Sequence, residues 1–236
     1  MERVLNQLVE RLKKAYGERL VSVVVYGSAA VGDHHGRFSD VNILCILREV
    51  TPRELSDSAS VFKWWERQGN PSPLLFGLEE FRTSTDCFPI ECHDIRERHR
   101  ILYGEDVVRD LEIDKSFYRA QVEHELRAKL LRLRQKAAGV LAARDLLLGL
   151  LTDSISTFCV LFRHALLLHG AEAAFEKRAV IDQAAARFGI EPSPFGTLLD
   201  LREKKIKGRD VQPARLFDEY LGQIQVVVDA VDRLEK

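Results

Sequence analysis

Residues 21–47 constrain the fold of this 236-residue chain more than any other stretch. An apolar run over residues 21–26 predicts a buried strand, and it stops at Gly27 and Ser28. A second apolar run follows a polar loop and opens with Asp40 and Asn42, one residue apart. Side chains alternate across a strand, so Asp40 and Asn42 are expected to point the same way. Two oxygen-bearing side chains beside a glycine–serine turn predict a site for a cation and phosphate groups.

These residues resemble the signature of the nucleotidyltransferase superfamily, which includes DNA polymerase beta and the aminoglycoside nucleotidyltransferases. Gly27-Ser28 is similar to the Gly-Ser of that family, and Asp40-x-Asn42 is similar to its Asp-x-Asp. The resemblance covers roughly the first hundred residues. It implies metal-dependent transfer of a nucleoside monophosphate from a nucleoside triphosphate, with ATP the expected donor and AMP the expected group. The acceptor, a small molecule or a protein, is not identified by the sequence.

The resemblance also implies roles for these residues. Gly27 and Ser28 would hold the phosphates, and Asp40 and Asn42 would bind Mg²⁺ or Mn²⁺. Asn42 departs from the family pattern, because an amide oxygen can ligate a hard cation but brings no negative charge. Three interpretations stay open: Asn42 is a weaker ligand in a working enzyme, it marks an inactivated nucleotide-binding protein with a regulatory, antitoxin-like role, or it reflects altered metal use.

A third acid is expected from a later strand, and residues 88–95 are predicted to form it. Glu91 and Asp94 are the two candidates, and they would lie on opposite faces of a regular strand. Glu91 is favoured as the third metal ligand or the general base, because its mid-strand position resembles that of the family's acid. Asp94 would then be a hydrogen-bonding neighbour.

Charge and cysteine content limit the partners. A formal net charge of −1 argues against nucleic acid as the main partner. The longest apolar stretch is interrupted by charged residues, which argues against a membrane span. The four cysteines show no paired metal spacing, so we expect free thiols in a reducing, cytoplasmic setting.

The pattern of predicted elements changes along the chain. Helices and strands alternate over residues 1–110, which predicts a mixed-sheet domain resembling the nucleotidyltransferase fold. Residues 111–236 show helical periodicity alone, which predicts an all-α bundle and an α+β class for the whole chain. The bundle offers a surface for a partner or for association with a second copy.

Overall fold

The computed structural model describes residues 1–30 and 41–234. The chain divides into two compact units, Met1–Phe117 and Tyr118–Lys236. The first unit combines a four-stranded sheet with helices, and the described residues of the second form helices and connecting turns. The predicted α+β class is therefore confirmed.

The first unit is built on a mixed sheet in the order β3-β2-β1-β4. Strand β1 is antiparallel to both β2 and β4, whereas β3 runs parallel to β2. The strands are β1 (Leu20–Tyr26), β2 (Asn42–Leu47), β3 (Leu74–Gly77) and β4 (His99–Gly104). The helices are α1 (Glu2–Tyr16), α2 (Pro52–Glu66), α3 (Leu78–Thr83) and α4 (Pro89–Glu97).

Both faces of the sheet are covered, which explains why β1 and β2 are almost continuously apolar. On one face, Val23 and Val25 pack in a cluster with Leu8 of α1 and Trp65 of α2. On the other face, Val24 and its neighbours pack in a second cluster with residues of α3 and α4, Phe81, Cys92 and Ile95. The alternation along β1 therefore assigns each side chain to one of two cores.

The segment between β4 and the helical unit packs with the sheet. Val108 and Leu111 are buried in the same cluster as Phe81. The first compact unit accordingly extends to Phe117.

Gly104 lets β4 approach β1 closely. It pairs with Ser22, whose hydroxyl donates a hydrogen bond of 2.6 Å to the carbonyl of Glu105. A Cβ added at Gly104 would lie 1.9 Å from the carbonyl oxygen of Val21, and the φ angle of Gly104 is +80°. Any other residue would be both strained and in collision with β1.

The second unit contains five α-helices among its described residues. They are α5 (Tyr118–Ala138), α6 (Arg144–Leu168), α7 (Lys177–Phe188), α8 (Ser193–Arg202) and α9 (Pro213–Asp232). Helix α6 contacts the other four. Its Phe158 and Phe162 make edge-on ring contacts with Tyr220 and Phe195 respectively. Among the described helices, α6 alone is long and apolar enough to cross a membrane, and a core helix has the same composition.

Candidate nucleotide site

A sharp turn follows β1. A 3-10 turn, Gly27–Ala30, begins at Gly27, whose φ of +77° lies in the region that favours glycine. The Gly27 N–H donates a 2.9 Å hydrogen bond to the carbonyl of Arg98, the residue that follows α4. The turn is thereby fixed to the end of α4. Ser28 is half-buried beside it.

Asn42 lies against this turn. It is the first residue of β2, and it pairs with Tyr26, the last residue of β1. A Cβ added at Gly27 would be 3.5 Å from the side-chain Nδ2 of Asn42, an ordinary van der Waals distance. Gly27 and Asn42 are therefore neighbours in space. Asp40 lies outside the described residues, so the structure places only the second member of the Asp40–Asn42 pair.

The side chain of Asn42 belongs to the face of the sheet that α4 covers. Leu44 and Ile46 share its face because side chains on alternate residues point the same way. Both pack in the cluster that contains Cys92 and Ile95 of α4. Glu91 lies in the first turn of the same helix.

Glu91 also acts electrostatically on the end of β1. Burial raises the pKa of Tyr26 to about 12, and the negative charge of Glu91 adds to this effect. Glu91 itself is exposed. The charge of an exposed carboxylate thus acts on Tyr26, whose strand partner is Asn42.

The predicted strand over residues 88–95 is wrong. Residues Pro89–Glu97 form helix α4, and the strand that pairs with β1 is β4, which follows it. Glu91 and Asp94 are consequently three residues apart on a helix, where such positions are neighbours instead of lying on opposite faces. Local signals for a helix were present: Pro89 at its first position, Glu91 in its first turn and Arg96 in its last.

The four described strands contain no Asp or Glu. A strand-borne third carboxylate, which the family resemblance implies, is therefore missing from the described part of the sheet. Glu91 offers a carboxylate from α4 instead, and Asn42 offers an amide oxygen. Both are hard oxygen donors of the kind that Mg²⁺ accepts, so the donor set fits a divalent cation. These ligands bring fewer negative charges than the carboxylates of the family pattern.

Comparison with solved structures shows a similar fold over nearly the whole chain. The structure is similar to spectinomycin adenyltransferase AAD(9) from Enterococcus faecialis, solved with ATP and spectinomycin, with a TM-score of 0.62 and 12% identity. The match covers 98% of this chain and 99% of that chain, and it shows a shared fold. A toxin–antitoxin structure with AMP-PNP matches 43% of this chain and 74% of that one, with 17% identity and a TM-score of 0.31, too low to indicate a common fold. A search of curated proteins finds no significant match.

The family is shown by the sequence itself. Residues 5–136 match the family model of the nucleotidyltransferase domain, which is more than half of the chain. The matched range includes the Gly27 turn, Asn42 and Glu91. The chain therefore belongs to the nucleotidyltransferase domain family.

Proposed function

We propose that this protein binds ATP at the end of β1 and transfers AMP to a small-molecule or protein acceptor. Family membership supports nucleotide transfer in general. The observation that supports this site is that the Gly27 turn lies against Asn42, while the charge of Glu91 acts on Tyr26, the strand partner of Asn42.

The turn would hold the phosphates of the nucleotide. Glycine at position 27 permits a close approach of the main chain, and Ser28 adds a hydroxyl. Because the Gly27 N–H already donates to Arg98, backbone donors to phosphate would come from residues after Gly27.

Asp40, Asn42 and Glu91 would hold Mg²⁺ or Mn²⁺. When bound, the cation would neutralise negative charge on the triphosphate. Glu91 is alternatively the general base: its carboxylate would accept the proton of the acceptor hydroxyl as that oxygen bonds to the α-phosphorus. The bond from the α-phosphorus to pyrophosphate would break in the same step.

A second candidate function is nucleotide binding without efficient transfer, in a regulatory or antitoxin-like protein. Asn42 supplies no charge, and the described strands supply no carboxylate. Loss of carboxylates weakens cation binding, since the cation is the dominant local charge beside a triphosphate.

Calorimetric titration with ATP, GTP, CTP and UTP tests the site, with and without Mg²⁺ or Mn²⁺. We expect cation-dependent binding of ATP that is lost in Asp40→Ala and retained in Glu66→Ala, which removes an exposed acid at the end of α2. An absence of binding to every triphosphate would refute the proposal.

Asn42→Asp separates the two functions. Transfer of label from ATP labelled at the α-phosphate is measured against a panel of hydroxylated small molecules and proteins. If the native protein is active and Asn42→Asp changes its rate by less than about tenfold, the result supports the transferase. A tenfold change in rate corresponds to about 1.4 kcal/mol of activation free energy. Activity that appears only in Asn42→Asp supports the binding protein.

A further inference from the structure

Three hydrogen-bond donors lie on helices of the second unit that contact one another. Ser156 lies in α6, Lys177 is the first residue of α7, and Arg202 is the last residue of α8. We call these three residues the α6–α8 cationic cluster.

The interactions of Arg202 and Lys177 with α6 show where each lies along that helix. The Nη1 of Arg202 donates a 3.2 Å hydrogen bond to the carbonyl of Thr152. Lys177 interacts electrostatically with Cys159, which is 2% exposed. Positions 152, 156 and 159 are four and three residues apart, so they form one stripe along α6. Ser156 therefore lies between the contacts of Arg202 and Lys177.

Two of the three donors, Ser156 and Lys177, lack an acceptor among the described residues. The hydroxyl of Ser156 is buried and has no hydrogen-bond partner among the described residues. Lys177 is half-buried and makes no hydrogen bond or ion pair with any part of the chain that the structure describes. Burial lowers the pKa of Lys177, and the positive charge of Arg202 lowers it further. Two cations thus share a partly desolvated space.

The acids around Lys177 are engaged elsewhere. Glu176 accepts a 2.7 Å hydrogen bond from the backbone N–H of Ala179. Glu203 is held by Arg178 at 2.8 Å and by Lys205 at 2.6 Å. The charges of Glu176 and Glu203 oppose the lowering of the Lys177 pKa by burial and by Arg202, but neither acid forms an ion pair with Lys177 or Arg202.

We propose that the α6–α8 cationic cluster binds a small oxyanion of the phosphate class. An oxyanion has several acceptor oxygens, and charge-assisted hydrogen bonds from ammonium and guanidinium groups are stronger than neutral ones. One of its oxygens would accept a hydrogen bond from the hydroxyl of Ser156, whose burial without a partner is costly. The same anion would remove the repulsion between Lys177 and Arg202.

The test uses the full chain and inorganic phosphate as the probe. Thermal unfolding is followed in phosphate and in chloride at equal ionic strength, and calorimetry gives the affinity. We expect phosphate to raise the unfolding temperature of the native protein. The dissociation constant should rise at least about tenfold in Lys177→Met and by a smaller factor in Ser156→Ala. Lys207→Met, which removes an exposed lysine of the same unit, should respond like the native protein.

Each variant is compared with its own baseline in chloride, because Lys177→Met also removes a half-buried charge and can change stability by itself. Gly27→Ala should retain the phosphate response, which separates this cluster from the proposed nucleotide site. Glycerol 3-phosphate distinguishes the source: tighter binding than inorganic phosphate indicates a phosphomonoester, and weaker binding indicates the free ion. No response in the native protein, or an equal response in Lys177→Met, would overturn the proposal.

Discussion

The two ends of β1 differ in how their polar groups are satisfied. At the start of the strand, Arg19 donates to Glu54 and, at 2.7 Å, to Asp57. Glu54 also accepts the backbone N–H of Thr51 at 3.1 Å and so caps α2. At the other end, the Gly27 turn lies against Asn42, and the exposed Glu91 acts electrostatically on Tyr26.

The polar groups at the start of β1 therefore stabilise the fold, and those at its end are available to a ligand. Glu54 is 2% exposed, and a hydrogen bond from the Thr51 side chain, reinforced by Arg19, lowers its pKa to about 2. A carboxylate held in this way ties α1, β1 and α2 together and is unavailable to a ligand. Glu91, by contrast, projects into solvent, where a ligand can reach it.

The largest expected effect concerns the start of β1. Gly104→Ala should lower the free energy of unfolding by about 3 kcal/mol or more, because the new methyl group collides with the Val21 carbonyl at a strained φ. Urea unfolding measures the change. Gly69→Ala is the matched control: its φ is +85° but nothing lies within 4 Å of the added Cβ. Equal losses in both variants would contradict the steric argument.

Glu54→Gln should be the next most destabilising change. The pKa of folded Glu54 is about 2, below the ordinary value of 4.5, so its ionised form stabilises the fold fully above pH 4.5. This contribution is lost as pH falls from 4.5 towards 2. Urea midpoints of native protein and variant should therefore differ most near neutral pH and converge in acid. The exposed Glu79→Gln is the control, and a constant difference across this pH range would contradict the assignment.

Gly27→Ala should have a small effect on stability and a larger one on binding. Its positive φ costs an alanine about 1 kcal/mol, and the added methyl group would lie against Asn42. If the turn holds phosphates, the dissociation constant for ATP should rise by about tenfold or more. Gly189→Ala, at a φ of +72° beyond α7 with nothing within 4 Å of the added Cβ, should cost similar stability and leave binding unchanged. Equal ATP affinities in the two variants would show that the Gly27 turn does not bind the nucleotide.

The smallest expected effect tests the position of Glu91. Glu91→Gln should lower the pKa of Tyr26, because the tyrosinate no longer faces a negative charge. Carbon-13 NMR of the tyrosine rings, with Tyr26→Phe for assignment, measures the titration. Glu97→Gln, at the last residue of the same helix, should leave the Tyr26 titration unchanged. If the pKa of Tyr26 is unaltered in Glu91→Gln, Glu91 does not lie near the end of β1.

Local sequence patterns predicted the elements with strong internal signals. The apolar run of β1 and the helical spacing in α1 both have a periodicity that burial confirms. Thr51 and Pro52 are typical signals of a helix start, and α2 does begin there, with the Thr51 side chain accepting a hydrogen bond from the N–H of Arg53. The sequence also predicted that Asn42 lies beside the glycine–serine turn, and the structure places its side chain against Gly27. The prediction from strand alternation, that Asp40 and Asn42 point the same way, falls on Asp40, outside the described residues.

The error at residues 88–95 has a tertiary origin. Their apolar residues suit a strand, but β1 obtains its second neighbour from His99–Gly104, whose side chains are only partly buried. Periodicity along one segment contains no information about which segment β1 pairs with. The α6–α8 cationic cluster was beyond prediction for the same reason, because its residues come from three helices that only the fold brings together. The catalytic and metal-binding roles of Asp40, Asn42 and Glu91 stay predictions.

The pairing of β1 with β4 bears on synthesis at the ribosome. Ser22 pairs with Gly104, so the central strand receives its second neighbour only after some eighty further residues have been added. At about 5–20 residues per second, that interval lasts roughly 4–16 s. During it, the edge of β1 formed by Val23, Val24 and Val25 has no partner on that side, and open strand edges promote aggregation. Nascent chains stalled before His99 should therefore depend most on chaperones.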